Sequence, residues 1–293
     1  MLITKTIAET RAALGKVRSE GKRIGFMPTL GYIHEGHLTL VDIAKKHSDF
    51  VIVSIFVNPT QFGPKEDFSA YPRDFERDRR MFDARGVALI FAPSVEEMYP
   101  ELELIKFQIE KMSDHLCGER RPGHFNGVVQ VVAKLFNIIQ PDVAVFGQKD
   151  VQQLFVLKRL VYDLNFPTKI IMGPTVREPN GLAMSTRNVY LTPTQRAQSS
   201  ILYQSLQRAK ELIQLGERRA SVVIAEMTKM IQTATEGRID YVEIVHTSDL
   251  QPIETLEGRV AIALAVYFGK ARLIDNIILD INEKSVSEMP TGD

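Results

Sequence analysis

The stretch Phe50–Val57 (FVIVSIFV) limits the fold more than any other part of the chain. Apart from Ser54 it is an unbroken run of β-branched and aromatic residues, far too short to span a membrane and suited to a strand buried on both faces. Such strands belong to parallel sheets covered by helices on both sides. The residues before it agree. Arg23–Met27 has a strand pattern, and Leu38–Lys46 carries Leu38, Leu40, Val41 and Ala44 at helical spacing. Strand, loop, helix and strand in this order make a βαβ unit.

The alternation continues downstream. Thr6–Arg18 reads as a helix, Asp74–Arg85 as a charged helix closed by Gly86, and Val87–Phe91 as a strand. Ser94–Tyr99 reads as a helical turn capped by Ser94, and Ile105–Ile109 as a further strand. Val128–Ile139 is an apolar helix stopped near Pro141, followed by strand Val143–Phe146, helix Val151–Leu164 and strand Lys169–Met172. Near residue 175 the texture changes. Long helices are expected over Pro193–Leu215 and Ala220–Thr235, then strands at Ile239–Val245, Val260–Phe268 and Leu273–Ile281, with Glu283–Asp293 as a loose tail. The expected architecture is α/β: a parallel-sheet domain over residues 1–175 and a smaller α+β domain over residues 176–293.

Charge narrows the partners. Lys+Arg and Asp+Glu both number 36, so no large basic face for nucleic acid is expected. Cys117 is the single cysteine, which excludes an internal disulfide framework and fits a reducing compartment. The N-terminus mixes charges and has no apolar core of signal-peptide length. The expectation is a cytoplasmic protein with no membrane partner.

In open α/β sheets ligands bind at the carboxyl ends of the strands, and several polar loops fall there. The first is Phe26–His37 (FMPTLGYIHEGH). His34 and His37 sit where a helix begins, and free N–H groups at a helix start favour an anion. Two imidazoles there can donate to phosphate oxygens and stabilise charge during phosphoryl or nucleotidyl transfer. Two other readings stand beside this one. His-Glu-Gly-His is one residue short of the HExxH zinc motif and lacks an obvious third ligand, and the pair could have no role at all. Neither a GxxxxGK[ST] loop nor a GxGxxG fingerprint occurs, so a bound nucleotide would be held by other means.

Lys149 and Asp150 follow a strand, suited to a phosphate charge and a ribose hydroxyl, or to a capped helix beside a surface lysine. Ser185, Thr186, Arg187 and Asn188 can wrap phosphates or serve as a polar connector. Arg121 and His124 form a smaller basic set. Asn58 and Gln61 suit a substrate rich in hydroxyl and carboxylate oxygens, or a turn. The acidic run around Asp74–Asp83 reads as a solvated helix face, or as a Mg²⁺ contact.

Taken together, PTLGYIHEGH (28–37), VSIFVNPTQF (53–62), YPRD (71–74), RPGHFNGV (121–128), FGQKDVQQL (146–154), VREPNGLAMSTRN (176–188) and ARLIDN (271–276) resemble the pantothenate synthetase (pantoate–β-alanine ligase) family. The ordered set spans nearly the whole chain, whereas HxGH alone marks only the wider nucleotidyltransferase superfamily. The resemblance implies a Rossmann-like N-terminal domain, a smaller C-terminal domain, usually a homodimer, and ATP- and Mg²⁺-dependent condensation of pantoate with β-alanine. It implies ATP contacts from Leu30, Gly31, Tyr32, Ile33, His34, Glu35, Gly36 and His37, with His37 as proton donor. Gly147, Gln148, Lys149 and Asp150 form the second ATP segment, completed by Val176, Met184, Ser185, Thr186 and Arg187. Gln61 and Gln153 match pantoate contacts, with Asn58 beside them. His34, His37, Lys149 and Arg187 are the expected catalytic set. Leu30, Gln148 and Thr186 depart from the commoner Met, Glu and Ser. Arg77 and Asp78 stand where some members carry adjacent aspartates, so no metal ligand is assigned. The alternatives are another nucleotidyltransferase of this superfamily or a non-catalytic nucleotide-binding module.

Overall fold

The computed structural model describes every residue except Lys65, Glu283, Lys284, Pro290, Thr291 and Asp293. The first part of the chain contains β1 (Leu2–Thr4), α1 (Ile7–Ser19), β2 (Ile24–Thr29), α2 (Glu35–His47), β3 (Phe50–Ile55), α3 (Phe75–Ala84), β4 (Leu89–Phe91) and α4 (Val95–Met98). Then come α5 (Leu116–Arg120), α6 (His124–Ile139), β5 (Val143–Gly147), α7 (Val151–Asp163) and β6 (Lys169–Gly173). The second part contains α8 (Pro193–Gln198), α9 (Ile201–Gln214), α10 (Ala220–Ala234), β7 (Arg238–His246), β8 (Gly258–Phe268), β9 (Ala271–Ile281) and β10 (Val286–Glu288).

The first sheet has the order β1-β4-β3-β2-β5-β6, and its pairs are parallel. From β2 the chain moves outward one way through β3 and β4, and the other way through β5 and β6. This reversal opens a crevice at the carboxyl ends of β2 and β5, the usual ligand position in such sheets. β3 behaves as its composition requires. Ile52 packs into the core beneath α1 and α6, while Val51 and Val53 pack into the core beneath α2 and α3. The fold is thus an α/β parallel sheet followed by a separate antiparallel sheet domain.

That second sheet has the order β10-β9-β8-β7. Along β8 the side chains alternate by size. Val260, Ile262, Leu264, Val266 and Phe268 join the core formed with α9 and α10. Ala261, Ala263 and Ala265 face the other way, into the core that holds α6 and α7 of the first part. The pleat sends successive side chains to opposite faces, and the alanines let the sheet come close to its neighbour.

Four expectations need correction. Ile105–Ile109 is not a strand: Phe107 and Ile109 pack on the core, but the segment pairs with no neighbouring strand. The helix expected over 193–215 is broken into α8 and α9, where the Ser199 and Ser200 hydroxyls donate to the carbonyls of Arg196 and Ala197. β1 was not anticipated, because three residues are too few to show a period. Within the expected loose tail, Val286–Glu288 forms an edge strand on β9, and the remainder lies partly outside the described residues. Among the described residues no helix is long and apolar enough to cross a membrane. Leu102, Leu104 and Ile105 are 84%, 88% and 79% exposed, a small apolar patch on the surface.

Candidate active site

Between β2 and α2 the chain reverses through Gly31 at φ 92° and Tyr32 at φ 50°. The turn leaves the Tyr32 and Ile33 N–H groups without a sheet partner, and a buried N–H needs an acceptor. Asp78 on α3 supplies it, accepting from Tyr32 at 2.6 Å and Ile33 at 2.9 Å. Burial raises the Asp78 carboxyl above its usual range, and the two backbone bonds oppose that rise. The acidic helix is therefore not a uniformly solvated face, since Asp78 is only 1% exposed. On the other side of the turn, Thr186 Oγ1 donates to the Tyr32 carbonyl at 3.3 Å.

His34 is the N-cap of α2. Its backbone N–H donates to His37 Nδ1 at 3.2 Å, which leaves the His37 proton on Nε2. The two rings lie 4.1 Å apart between centroids. Gly36 makes room for them, because a Cβ there would meet the His34 ring at 2.9 Å. Burial, reinforced by nearby Lys149, lowers His34 to about 4. Burial, then the His34 and Lys149 charges, push His37 well below its ordinary value. At neutral pH both imidazoles are neutral, so they offer hydrogen bonds rather than positive charge.

The loop after β3 is ordered around Asn58, which is 1% exposed. Its amide nitrogen donates to the Gly127 carbonyl and to Gln61 Oε1, both at 3.1 Å. Its oxygen accepts from Thr60 Oγ1 at 3.0 Å and from the Tyr99 hydroxyl at 2.8 Å. Asn58 thus spends its amide on protein partners, although the residue lines the inner chamber. It orients Gln61, leaving the Gln61 Nε2 hydrogens free. Gly127 must be glycine, since a Cβ would lie 2.2 Å from the Thr60 carbonyl. His124 Nε2 accepts from Arg121 at 3.0 Å, so Nδ1 carries the proton and donates to the Gln61 carbonyl at 2.8 Å. Burial, with Arg121 beside it, lowers His124 to about 4.

Gln148, Lys149 and Asp150 form a 3₁₀ turn between β5 and α7. Asp150 is the N-cap residue of α7, but its side chain makes no capping hydrogen bond and its carboxylate lies 3.5 Å from Lys149 Nζ. The turn is held from the second sheet: buried Asn276 on β9 donates to the carbonyls of Gln148 at 3.0 Å and Lys149 at 2.9 Å. Its neighbour Asp275 forms a bidentate pair with Arg177 at 2.6 and 3.0 Å. Removing one partner of such a buried pair costs about 3–5 kcal/mol. Arg187, on the 3₁₀ turn Thr186–Tyr190, pairs with Asp67 at 2.9 and 3.1 Å.

These elements enclose a cleft with two chambers. The inner one, about 230 Å³, is lined by Leu30, His34, Gly36, His37, Gln61, Gly147, Val176, Met184 and Thr186, over an apolar floor of Val128, Val131, Val132 and Phe146. The outer one, about 720 Å³, reaches the second sheet at Tyr241, Tyr267, Arg272 and Asn276. Arg121, His124, Lys149, Asp150, Gln153, Ser185 and Arg187 line both. Gly31, Tyr32, Ile33, Glu35 and Gln148 line neither, and act by shaping the turns or by bonding elsewhere. Glu35, for example, pairs with Arg85 at 2.9 Å.

Among the described residues four buried side-chain polar atoms have no hydrogen-bond partner; three of them, His34 Nδ1, Ser54 Oγ and Thr175 Oγ1, belong to residues that line the inner chamber, and the fourth is Asn188 Oδ1 outside it. Buried unpaired polar groups are rare and costly, so this clustering marks a place for a polar ligand. The sequence reading missed Ser54 and Thr175, along with Asp67, Asp78 and Asn276. Ser54, Asp275 and Asn276 carried a local signal, as polar residues inside apolar strands. Among the described residues no group of three or more His, Cys, Asp or Glu side chains is placed to hold a metal. Asp78 already accepts two backbone N–H groups, which leaves its carboxylate little capacity for a cation.

Comparison with known proteins agrees with this geometry. A family model described as Pantoate-beta-alanine ligase matches residues 2–278. The pantothenate synthetase of Moorella thermoacetica is 54% identical, over 97% of this chain and 100% of its own length. That of Thermoanaerobacter sp. is 51% identical, over 95% of this chain and 98% of its own length. Among solved structures, the pantothenate synthetase of Thermus thermophilus superposes with a TM-score of 0.89 at 45% identity, covering 94% of this chain and 98% of that one. The pantoate-β-alanine ligase of Francisella tularensis, complexed with β-γ ATP and β-alanine, gives 0.79 at 35% identity, covering 94% and 97%.

The buried neutral histidines predict a pH dependence. His34 and His124 stay unprotonated in the folded state down to about pH 4, whereas unfolded histidine takes up a proton near 6.5. Stability should be level above pH 6.5 and fall as pH drops from there toward 4, because the unfolded state binds more protons. Urea midpoints measured between pH 7.5 and 5 check this. The His124→Gln variant should show a shallower slope, and a slope equal to the wild type would contradict the assignment.

Proposed function

The chain belongs to the pantoate–β-alanine ligase family, and we propose on that footing that it joins pantoate to β-alanine to form pantothenate, converting ATP to AMP and pyrophosphate. The observation that carries the reading is the mixed lining of the inner chamber. It combines the His34 and His37 imidazoles with Lys149 and Arg187, suited to phosphate oxygens, with the apolar Val128, Val131, Val132 and Phe146 and the amides of Gln61 and Gln153. Pantoate needs both characters, an apolar surface for its dimethyl carbon and donors for its carboxylate and hydroxyls.

A carboxylate is a poor electrophile, so it must first be activated. The pantoate carboxylate attacks the α-phosphorus of ATP, the bond to the bridging oxygen breaks, and pyrophosphate leaves with its electron pair. The β-alanine amine then attacks the acyl carbon, loses a proton, and AMP leaves. The chain contributes positioning and electrostatics. His37 Nε2–H donates to a phosphate oxygen, Lys149 and Arg187 oppose the charge of the polyphosphate, and Gln61, oriented by Asn58, holds pantoate. Neutral imidazoles suit this role, because they stabilise developing charge without first being desolvated as ions. Mg²⁺ belongs to the reading only as a companion of the incoming nucleotide, and none of these steps is routed through it.

Residues 1–175 carry the pantoate contacts and most of the nucleotide contacts, while the smaller, lid-like domain over residues 176–293 supplies Val176, Met184, Ser185, Thr186 and Arg187 and the support from Asn276. A homodimer is the proposed assembly, and the exposed Leu102, Leu104 and Ile105 support it as a patch available for burial. A cytoplasmic location fits an enzyme that consumes ATP and carries a free thiol at Cys117.

Pantoate without β-alanine should support exchange of labelled pyrophosphate into ATP, and absence of exchange would sink the adenylate route. His37→Ala and Lys149→Ala should each lower kcat about a hundredfold or more, the scale for losing one transition-state contact. Wild-type turnover in either would show that the wrong groups were assigned. Leu104→Glu should shift the protein from dimer to monomer in sedimentation, and an unchanged dimer would place the interface elsewhere.

A further inference from the structure

Glu66 and Asp67 are adjacent on the loop after β3, yet their side chains reach different arginines. Glu66 takes Arg121, which precedes α6, with oxygens at 2.5 and 2.7 Å. Asp67 takes Arg187, on the turn after residue 185, at 2.9 and 3.1 Å. The two acidic residues therefore bridge the cleft, and both line its outer chamber.

The two contacts are unequal. Arg121 is also tied to His124 at 3.0 Å and to the Gln61 carbonyl at 3.4 Å. Among the described residues, Arg187 has Asp67 as its one carboxylate partner, with the Tyr71 ring 5.7 Å away. Glu66 thus anchors the loop, and Asp67 makes the contact that can be exchanged. The Asp67 carboxylate is 25% exposed, so water can take it up when it lets go.

Resting on the ATP-dependent reading above, we propose that Asp67 is an internal stand-in for a nucleotide phosphate, holding Arg187 until a polyphosphate replaces it. The Arg187 guanidinium is 30% exposed, so losing its carboxylate leaves it only partly compensated by water. Exchange of one anion for another avoids that state throughout binding. The exchange also selects among ligands. A polyphosphate offers several charged oxygens against one carboxylate, whereas a single carboxylate such as that of pantoate gains nothing by displacing another. Asp67 thereby acts as a positioning residue that sets the affinity threshold for the nucleotide.

Titration calorimetry with ATP, and with inorganic tripolyphosphate as a probe lacking adenosine, tests this in the full chain. Asp67→Asn should bind both about three- to tenfold more tightly, the scale of one partly exposed ion pair. KM for ATP should fall without a rise in kcat. In the Arg187→Gln background the same substitution should leave ATP affinity unchanged. Asp67 accepts no backbone hydrogen bond among the described residues, so the Asn variant leaves the loop's own bonds in place. Unchanged or weaker binding by Asp67→Asn would overturn the proposal, as would equal tightening in the Arg187→Gln background. A wild-type chain that binds no ATP would instead overturn the ligase reading on which the proposal rests.

Discussion

The site depends first on the two N–H groups of Tyr32 and Ile33 meeting the Asp78 carboxylate. A chain leaving β2 must reverse sharply to start α2 above the sheet, and the reversal strands those donors in a buried place. Without an acceptor each would cost about 1–3 kcal/mol. Asp78 removes that cost from a neighbouring helix and thereby fixes the turn. The position of His34 as N-cap follows, then the bond from its N–H to His37 Nδ1, then the direction of the His37 Nε2 proton. The placement of the His37 Nε2 proton is thus traced to a carboxylate on a neighbouring helix.

The same logic governs the other walls. Asn58 has one amide, and each of its polar atoms is matched to a partner, so the Gln61 side chain has a single favourable orientation. Asn276 bonds two consecutive carbonyls of the turn bearing Lys149, which ties the second sheet to the chemistry of the first. These amides specify direction where a charge would specify only attraction. The groups that face the chambers are then few, and their orientation is set before any ligand arrives.

Much of this was legible in the sequence, and the boundary between legible and not is physical. The βαβ pattern is local, so the run at 50–57 announced a parallel sheet, and the polar words at 28–37, 147–150 and 184–187 fell at strand ends. What stayed hidden were contacts across long separations. Asp78 reads as one more acid on a charged helix until the fold brings Tyr32 beside it. Asn58 reads as a substrate contact or a turn former, and only the fold shows its amide spent on protein partners. Ile105–Ile109 has strand-like composition but finds no neighbour to pair with. Ser199 and Ser200 interrupt a helical period that the apolar spacing alone would carry through.

The cations of the cleft are not bare: Lys149 faces Asp150, Arg121 faces Glu66 and Arg187 faces Asp67. The balanced charge of the whole chain is repeated at the site. Bare guanidinium groups at this depth would repel one another and resist folding, so each is given a partner from a nearby turn. Binding then becomes replacement rather than neutralisation, and the attraction felt by a nucleotide is the difference between phosphate and carboxylate. Such a difference favours the ligand with the densest charge, while buried neutral histidines supply directed hydrogen bonds that need no counter-ion. On the proposed reading, selectivity draws on one of these pairs: Asp67, which partners Arg187, is the acid a polyphosphate must outbid, while Glu66 keeps Arg121 and anchors the loop.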